Sequence, residues 1–476
     1  HRKLDGVNAN SIEKLKLKWA YAIPGGAKGP ATLAGDSLFV VGTGYVVALN
    51  AHSGCVNWVY PIYERTVRVV TVANKGDNHP SLVIFGDDAG NVTALTAAEG
   101  KQRWKTNIEN HILNRITGAP TVHNGVAYVP ISSMEDPLTH NESHQCCDSR
   151  GGLAAIDVSS GKQLWTKKHI VAPTINQTLP TKKAAYSKEH VAGYFEQGPA
   201  GASTYTPLTI DARRGVVYAS TAEEYGFTGA SGPYSVIAYH LKTGKRVWQQ
   251  SFIPDEAERR RICAARDTDC RNMFSLGTSV LIHPLSDSKD ILVVGSKSGQ
   301  VFGLDPDNEG ERLWTTQVSE GGDLGGVMYG LASDGKRIYV PVSDVDSPTN
   351  MMTGSLIALD PASGITLWRA AGPKPACSWQ TNYCIAGQVA AVTVVSDMVY
   401  AGFWDGFVRV YSTEDGSLLK EIETAKDFQA INGVASGGQV SGYPLSIGNG
   451  ALYINSGASS VMKSGNALLV YTLDGQ

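Results

Sequence analysis

The sequence predicts an all-β fold, an eight-bladed β-propeller whose ring is closed by pairing of its two ends. Three observations carry that prediction: a segment that recurs along the chain, a glycine turn inside each copy, and a tryptophan at the same place in most copies. Apolar residues alternating with a period of two line one face of a strand, and two such runs joined by a Gly-containing turn form a β-hairpin.

The copies begin with YVVALNAHSGCVNW at 45–58, NVTALTAAEGKQRW at 91–104 and LAAIDVSSGKQLW at 153–165. They continue as SVIAYHLKTGKRVW at 235–248, VFGLDPDNEGERLW at 301–314 and SLIALDPASGITLW at 355–368. In FVRVYSTEDGSLLKEI at 407–422 the tryptophan is replaced. An eighth copy, ALLVYTLDG at 467–475, lacks its last strand, which LKLKWAYAI at 15–23 supplies from the other end of the chain. Pairing the two removes two free edges. A single hairpin unit cannot bury both faces, so the units stack around an axis, and residues 1–476 form one propeller domain. The repeated tryptophan is an apolar plate between neighbouring blades.

Composition narrows the function classes. The chain of 476 residues is 42% hydrophobic and 18% charged with a net charge of −3, enough apolar surface for a large core. A nearly neutral chain lacks the basic face that nucleic acids or anionic membranes require. It has no apolar run of about 18 residues, so no membrane span is expected. The first residue is His1, which leads us to expect that a targeting peptide has been removed.

Cys263 and Cys270, and Cys377 and Cys384, are close in sequence within polar stretches, and each pair is expected to close a short loop as a disulfide. Cys146 and Cys147 are adjacent, and Cys55 is left over. No Cys/His spacing suits zinc. Asn91, Asn141 and Asn176 are glycosylation acceptors by sequence. These features favour a secreted or vacuolar protein, or a periplasmic one in a bacterium.

The repeat resembles the tryptophan-docking motif of the quinoprotein (PQQ-dependent) alcohol dehydrogenases, and the chain is most similar to the polyvinyl-alcohol-dehydrogenase branch. The resemblance runs over RITGAPTVHNGVAYVPISSMED at 115–136, Cys146-Cys147-Asp148-Ser149-Arg150 and GASTYTPLTIDARRGVVYAS at 201–220. It continues in GSKSGQVFGLDPDN at 295–308, GGVMYG at 325–330, AGFWDGFVRVY at 401–411 and DFQAINGV at 427–434. It implies a disulfide between Cys146 and Cys147 that stacks on the quinone. It also implies a divalent cation on the quinone and a carboxylate base beside the substrate. The Cys-x-x-Cys-His of a haem-c unit is absent from this chain.

Alignment of the motifs puts Glu223 where the family has its cation-binding Asn, and Ser275 where it has its Asp base. Tyr205 and Tyr329 take the places of two tryptophans. Arg65, Arg115, Arg150 and Lys297 match positions that hold the quinone's carboxylates and carbonyls, while Trp379, Trp404 and Asn432 are expected to rim the funnel. Glu135 and Asp136 read as a solvated acidic loop.

A serine of ordinary pKa is a poor proton acceptor. The substitution therefore points away from alcohol oxidation and toward an enzyme without PQQ or metal. On that reading the funnel takes an apolar or aromatic small molecule and guides a cyclisation. Fungal propellers of natural-product pathways that act as hetero-Diels–Alderases offer a fold-level analogy. Tyr205, Arg150 and Lys297 would polarise a carbonyl, with Glu223 as a mild acid or base and Tyr329 and Trp404 as walls. The alternative is a PQQ- and calcium-dependent alcohol dehydrogenase with Glu223 as a metal ligand. A third reading is a non-catalytic binding propeller. A closed ring needs no partner, so a monomer or weak oligomer is expected.

Overall fold

In a computed structural model the described residues are all except 1–6, 27–28, 64–66, 76–78, 139–146, 172–199, 226–230, 254–270, 323, 346–353, 380–383 and 458–461. Eight antiparallel sheets follow one another along the chain, seven of four strands and one of five. They are blades 1 to 7 at 32–61, 67–107, 114–168, 209–251, 281–317, 332–370 and 393–423, and blade 8 at 445–473 with 15–22. Helical structure among the described residues is limited to three single 3₁₀ turns.

The ring closes as the sequence implied. Leu15–Ala22 runs antiparallel to Ala467–Leu473, with Leu15 opposite Leu473 and Ala22 opposite Ala467. The hairpin formed by Asp427–Ala430 and Gly433–Ser436 is fastened at this closure by Asn432. That side chain accepts from Ala22 N at 2.8 Å and donates to Ala22 O at 2.8 Å. Asn432, expected on the funnel rim, therefore pairs with the closing strand.

The blades are locked together by the repeated tryptophan. Trp104 of blade 2 is 8% exposed, donates from Nε1 to Val158 O of blade 3 at 2.8 Å, and lies on Gly161. Gly161 has φ +73°, and a Cβ there would stand 2.6 Å from the indole, so the position admits only glycine. The same fit joins Trp19 to Gly54, Trp58 to Gly100, Trp165 to Gly244, Trp248 to Gly310, Trp314 to Gly364 and Trp368 to Gly416. Turn and plate are thus one device, read from the neighbouring blade. In blade 7 the plate's position is held by Lys420, whose Nζ instead donates to Glu13 O at 3.2 Å and Glu13 Oε2 at 3.1 Å.

The core consists of apolar layers between successive blades, such as Val40, Val47 and Leu49 of blade 1 against Tyr453, Leu468 and Val470 of blade 8. No described helix is long and apolar enough to cross a membrane.

Candidate functional site

Two kinds of segment reach the axis. One leads into the first strand of a blade: Gly29–Pro30, Thr117–Ala119, Tyr205, Met328–Tyr329 and Ser441–Pro444. The other ends or follows a blade's second strand: Ser132–Met134, Glu223, Lys297 and Asn455. Together they enclose a cavity of about 450 Å³, within the range of small-molecule sites.

Glu223, which lines this cavity, meets Ser275. Ser275 is fully buried and its Oγ donates to Glu223 Oε2 in a short hydrogen bond. Ser275 is fixed by the acceptance of Lys297 N at its carbonyl, 3.0 Å, and Lys297, 8% exposed, lines the same cavity. The positions aligned with the family's base and cation ligand are therefore in contact, and the carboxylate missing at one is present at the other.

Tyr205 donates from its hydroxyl to Leu276 O at 3.1 Å. Burial raises its pKa well above the ordinary value, and the nearby Glu223 carboxylate raises it further, so the phenol stays protonated. Tyr329 sits at φ +68°, a left-handed conformation rare for an aromatic residue. It is held by donation of its N–H to Gly277 O at 2.7 Å and by Tyr443, which donates to Tyr329 O at 3.1 Å and meets its ring edge-on at 5.6 Å. Burial, with Tyr329 adding, also raises the pKa of Tyr443.

Beside the cavity lies a braced loop. Cys147 is buried and disulfide-bonded, packed on Ala200 and Tyr225. Cys146 lies outside the described residues, as do Cys263, Cys270, Arg65, Asn141 and Asn176. Cys377 and Cys384 are joined as expected. Glu135 is fully buried and accepts from the N–H groups of Asp148 (3.1 Å) and Ser149 (2.8 Å). The solvated acidic loop read from the sequence is corrected for this residue, which anchors the turn after Cys147. Asp136 lines the cavity.

Arg150 forms a bridge with Gly201, and its carbonyl accepts from Lys168 Nζ at 3.2 Å. Lys168 also bonds Glu109. Burial on its own would raise the Glu109 pKa, but Lys168 and the His111 N–H outweigh it and hold the carboxyl below its ordinary value. A depressed acid stabilises the fold above its unfolded pKa of about 4.3 and loses that contribution as pH falls through the folded value. Glu109→Gln is therefore expected to lower the unfolding free energy by about 1–2 kcal/mol at pH 7. Below about pH 4 the difference from wild type should close, measured by urea unfolding at both pH values.

The remaining candidates lie apart. Arg115 pairs with Asp88 at 3.3 Å. Trp379 stacks under Lys463 at 5.7 Å. Trp404, 2% exposed, packs with Met328, Ile385 and Val389 behind the cavity wall. Asn91 has its side-chain nitrogen engaged by both oxygens of Asp87. Sequence reading missed Tyr443, Ser203 and Asn455, which line the cavity. Ser203 and Tyr443 lie in segments between strands and Asn455 near the end of the strand Ala451–Ser456, where no residue pattern separates a funnel position from a packing one.

The sequence matches a PQQ-repeat family model, described as outer membrane protein assembly factor BamB, over residues 7–198 and 232–468. It is 36% identical over 490 residues to a polyvinylalcohol dehydrogenase of a Pseudomonas species, covering 99% of this chain and 74% of that protein. It is 32% identical to the polyvinylalcohol dehydrogenase of Sphingopyxis sp. strain 113P3, with the same coverage of both chains. Among solved structures, the quinohemoprotein alcohol dehydrogenase of Comamonas testosteroni superposes with a TM-score of 0.70 at 16% identity, covering 100% of this chain and 78% of that one.

Proposed function

The chain belongs to the quinoprotein alcohol-dehydrogenase-like family of eight-bladed propellers, in its polyvinylalcohol-dehydrogenase-like branch, and on that premise we propose that it oxidises alcohols with a bound PQQ-type quinone. The observation that carries this reading is the contact between Ser275 and Glu223. It supplies, from a neighbouring loop, the carboxylate that the Ser275 substitution removes.

The cavity's donor set suits the group. Lys297 offers a cation to the quinone's acidic or carbonyl oxygens, and Tyr205 and Tyr329 offer aromatic faces. Among the described residues, Asn455 presents a buried Oδ1 without a partner. Among the described residues no three His, Cys, Asp or Glu side chains converge, so a hard cation would rest on Asp136, the cavity hydroxyls of Ser133 and Ser203, and the cofactor's own oxygens. When bound, the quinone supplies the acceptor for the two electrons and the hydrogen leaving the carbinol carbon.

The chain's own residues do the rest. Glu223 takes the hydroxyl proton, while the Ser275 hydroxyl, donating to Oε2, holds the carboxylate in place. Tyr205, kept protonated, cannot compete for that proton. The half-buried tyrosines and Met328 keep water from the reacting carbon.

The cyclisation expected from the sequence has no support among the named sequence relatives, which are alcohol dehydrogenases. We also propose an oxidising compartment, in keeping with the Cys377–Cys384 and Cys147 disulfides. Purified protein incubated with PQQ and Ca²⁺ should reduce an artificial electron acceptor on addition of secondary alcohols, including polyvinyl alcohol. No PQQ-dependent reduction with any alcohol would overturn the reading.

A further inference from the structure

The first strands of the blades share a second recurring device. Thr32 donates from Oγ1 to Val70 O at 2.9 Å, Thr71 to Pro120 O at 2.6 Å, and Thr121 to Leu208 O at 2.8 Å. Thr209 donates to Val280 O at 2.6 Å, and Ser446 donates to Ala31 O. Each bond runs from one blade to the start of the next, so a belt of hydroxyl–carbonyl bonds passes from blade 8 through blade 1 to blade 5. A hydroxyl held in this way has its single proton committed, and the carbonyl it meets has its partner.

The residue two places before each of the four threonines lines a further cavity, of about 320 Å³: Pro30, Val69, Ala119 and Pro207. Leu33, Tyr443 and Leu445 line it too. The Thr32 and Ser446 hydroxyls that reach it belong to the belt, and the Tyr443 hydroxyl donates to Tyr329 O at 3.1 Å. Among the described residues, its lining therefore has no charged side chain and no hydroxyl whose proton is uncommitted.

This apolar annex adjoins the candidate active site. Pro30, Val69, Ala119 and Tyr443 line both cavities. Beyond the effect of burial, the pKa of Tyr205 is raised by Glu223 and by Tyr443, so one phenol lies within electrostatic reach of the proposed base and of the annex wall. A compartment whose side-chain polar groups are already engaged favours an apolar guest, because a polar one would leave its water without replacement. We propose that the annex holds the hydrocarbon flank of a secondary alcohol while the carbinol lies at Glu223. This inference rests on the proposed alcohol oxidation and adds its substrate class, secondary alcohols with an alkyl flank.

The test follows kcat/KM for alkan-2-ols from propan-2-ol to nonan-2-ol on the PQQ- and Ca²⁺-loaded protein. Each methylene that enters the annex should raise kcat/KM about threefold to fourfold, so the ratio of heptan-2-ol to propan-2-ol should be on the order of 10². 6-Hydroxyheptanoate, which ends in a carboxylate where heptan-2-ol ends in a methyl group, should fall about tenfold or more below heptan-2-ol. Leu445→Trp, which fills the annex from blade 8, should lower the heptan-2-ol to propan-2-ol ratio about tenfold or more. A ratio near one in wild type, or one that Leu445→Trp leaves unchanged, would overturn the proposal and leave the annex to water. If Leu445→Trp fails to fold, Leu445→Ala is read instead: the rise should continue to longer chains than in wild type, and an unmoved limit overturns the proposal. Absence of turnover with every alcohol would fall on the dehydrogenase reading. Calorimetric titration of heptan-2-ol into the protein without PQQ then decides the annex. Binding with a negative heat-capacity change that Leu445→Trp abolishes supports it, and binding that is absent or unaltered by the substitution overturns it.

Discussion

Glu223→Gln is expected to lower kcat by on the order of 10²–10⁴ while leaving the protein folded, the range for removal of a positioned general base. Glutamine keeps the shape of the side chain and can still accept the Ser275 hydroxyl, so the loop after Val216–Ser220 should hold its position. What it cannot do is take a proton. Ser275→Ala should cost far less, about tenfold, because the carboxylate remains and only its orientation relaxes. The ordering is the informative part. If serine were the reacting group, Ser275→Ala would be the crippling substitution and Glu223→Gln the mild one. Steady-state reduction of an electron acceptor by both variants, with unfolding curves beside them, decides between the two.

Trp104→Ala is expected to lower the unfolding free energy by about 3–5 kcal/mol, the range for truncating a buried tryptophan. The indole is buried in the layer between blades 2 and 3, with Ile84, Ala94, Val129 and Ile156 among its neighbours. It also donates to Val158 O and rests on Gly161, so its loss opens a cavity and leaves a buried carbonyl without its donor. Gly161→Ala should destabilise for the complementary reason, since the new methyl would collide with the ring in a backbone conformation that disfavours it. Chemical denaturation of both variants gives the values. A loss under 1 kcal/mol for Trp104→Ala would mean that the plate is not what holds the blades.

The ring was legible because its determinants are local and repeated. Gly161 and Trp104 are each conspicuous in sequence, and the hairpin that carries them recurs in eight copies, one without its tryptophan and one without its last strand, which states the blade count before any contact is known. The closing strand was legible for the same reason, as a missing half-repeat at one end and an unassigned strand at the other. The site was read less completely. Ser275 and Glu223 could be placed one at a time by motif, but they are 52 residues apart, and only the fold puts their side chains in contact. Read separately, Ser275 stood as a base position without a carboxylate, which directed the functional expectation toward cyclisation; the contact with Glu223 is what carries the oxidation proposed above. Glu135 shows the opposite difficulty. An acid in a loop reads as solvated, and nothing local reveals that the N–H groups of Asp148 and Ser149 bury it. Asn432 was placed by its segment on the rim, whereas its amide pairs with Ala22 from the far end of the chain. The Gln388 amide, buried and without a partner among the described residues, has no sequence signature, since that state appears only once its neighbours are in place.

The central claim is that the funnel holds a quinone, and its most direct test is binding itself. Protein incubated with PQQ and Ca²⁺ and passed through a desalting column should retain about one PQQ per chain by absorbance, as one cavity of this size admits one tricyclic ligand. Lys297→Ala should weaken that retention, because the cation that faces the ligand's anionic groups is gone. Wild-type protein that emerges free of PQQ, with Ca²⁺ present throughout, would contradict the account.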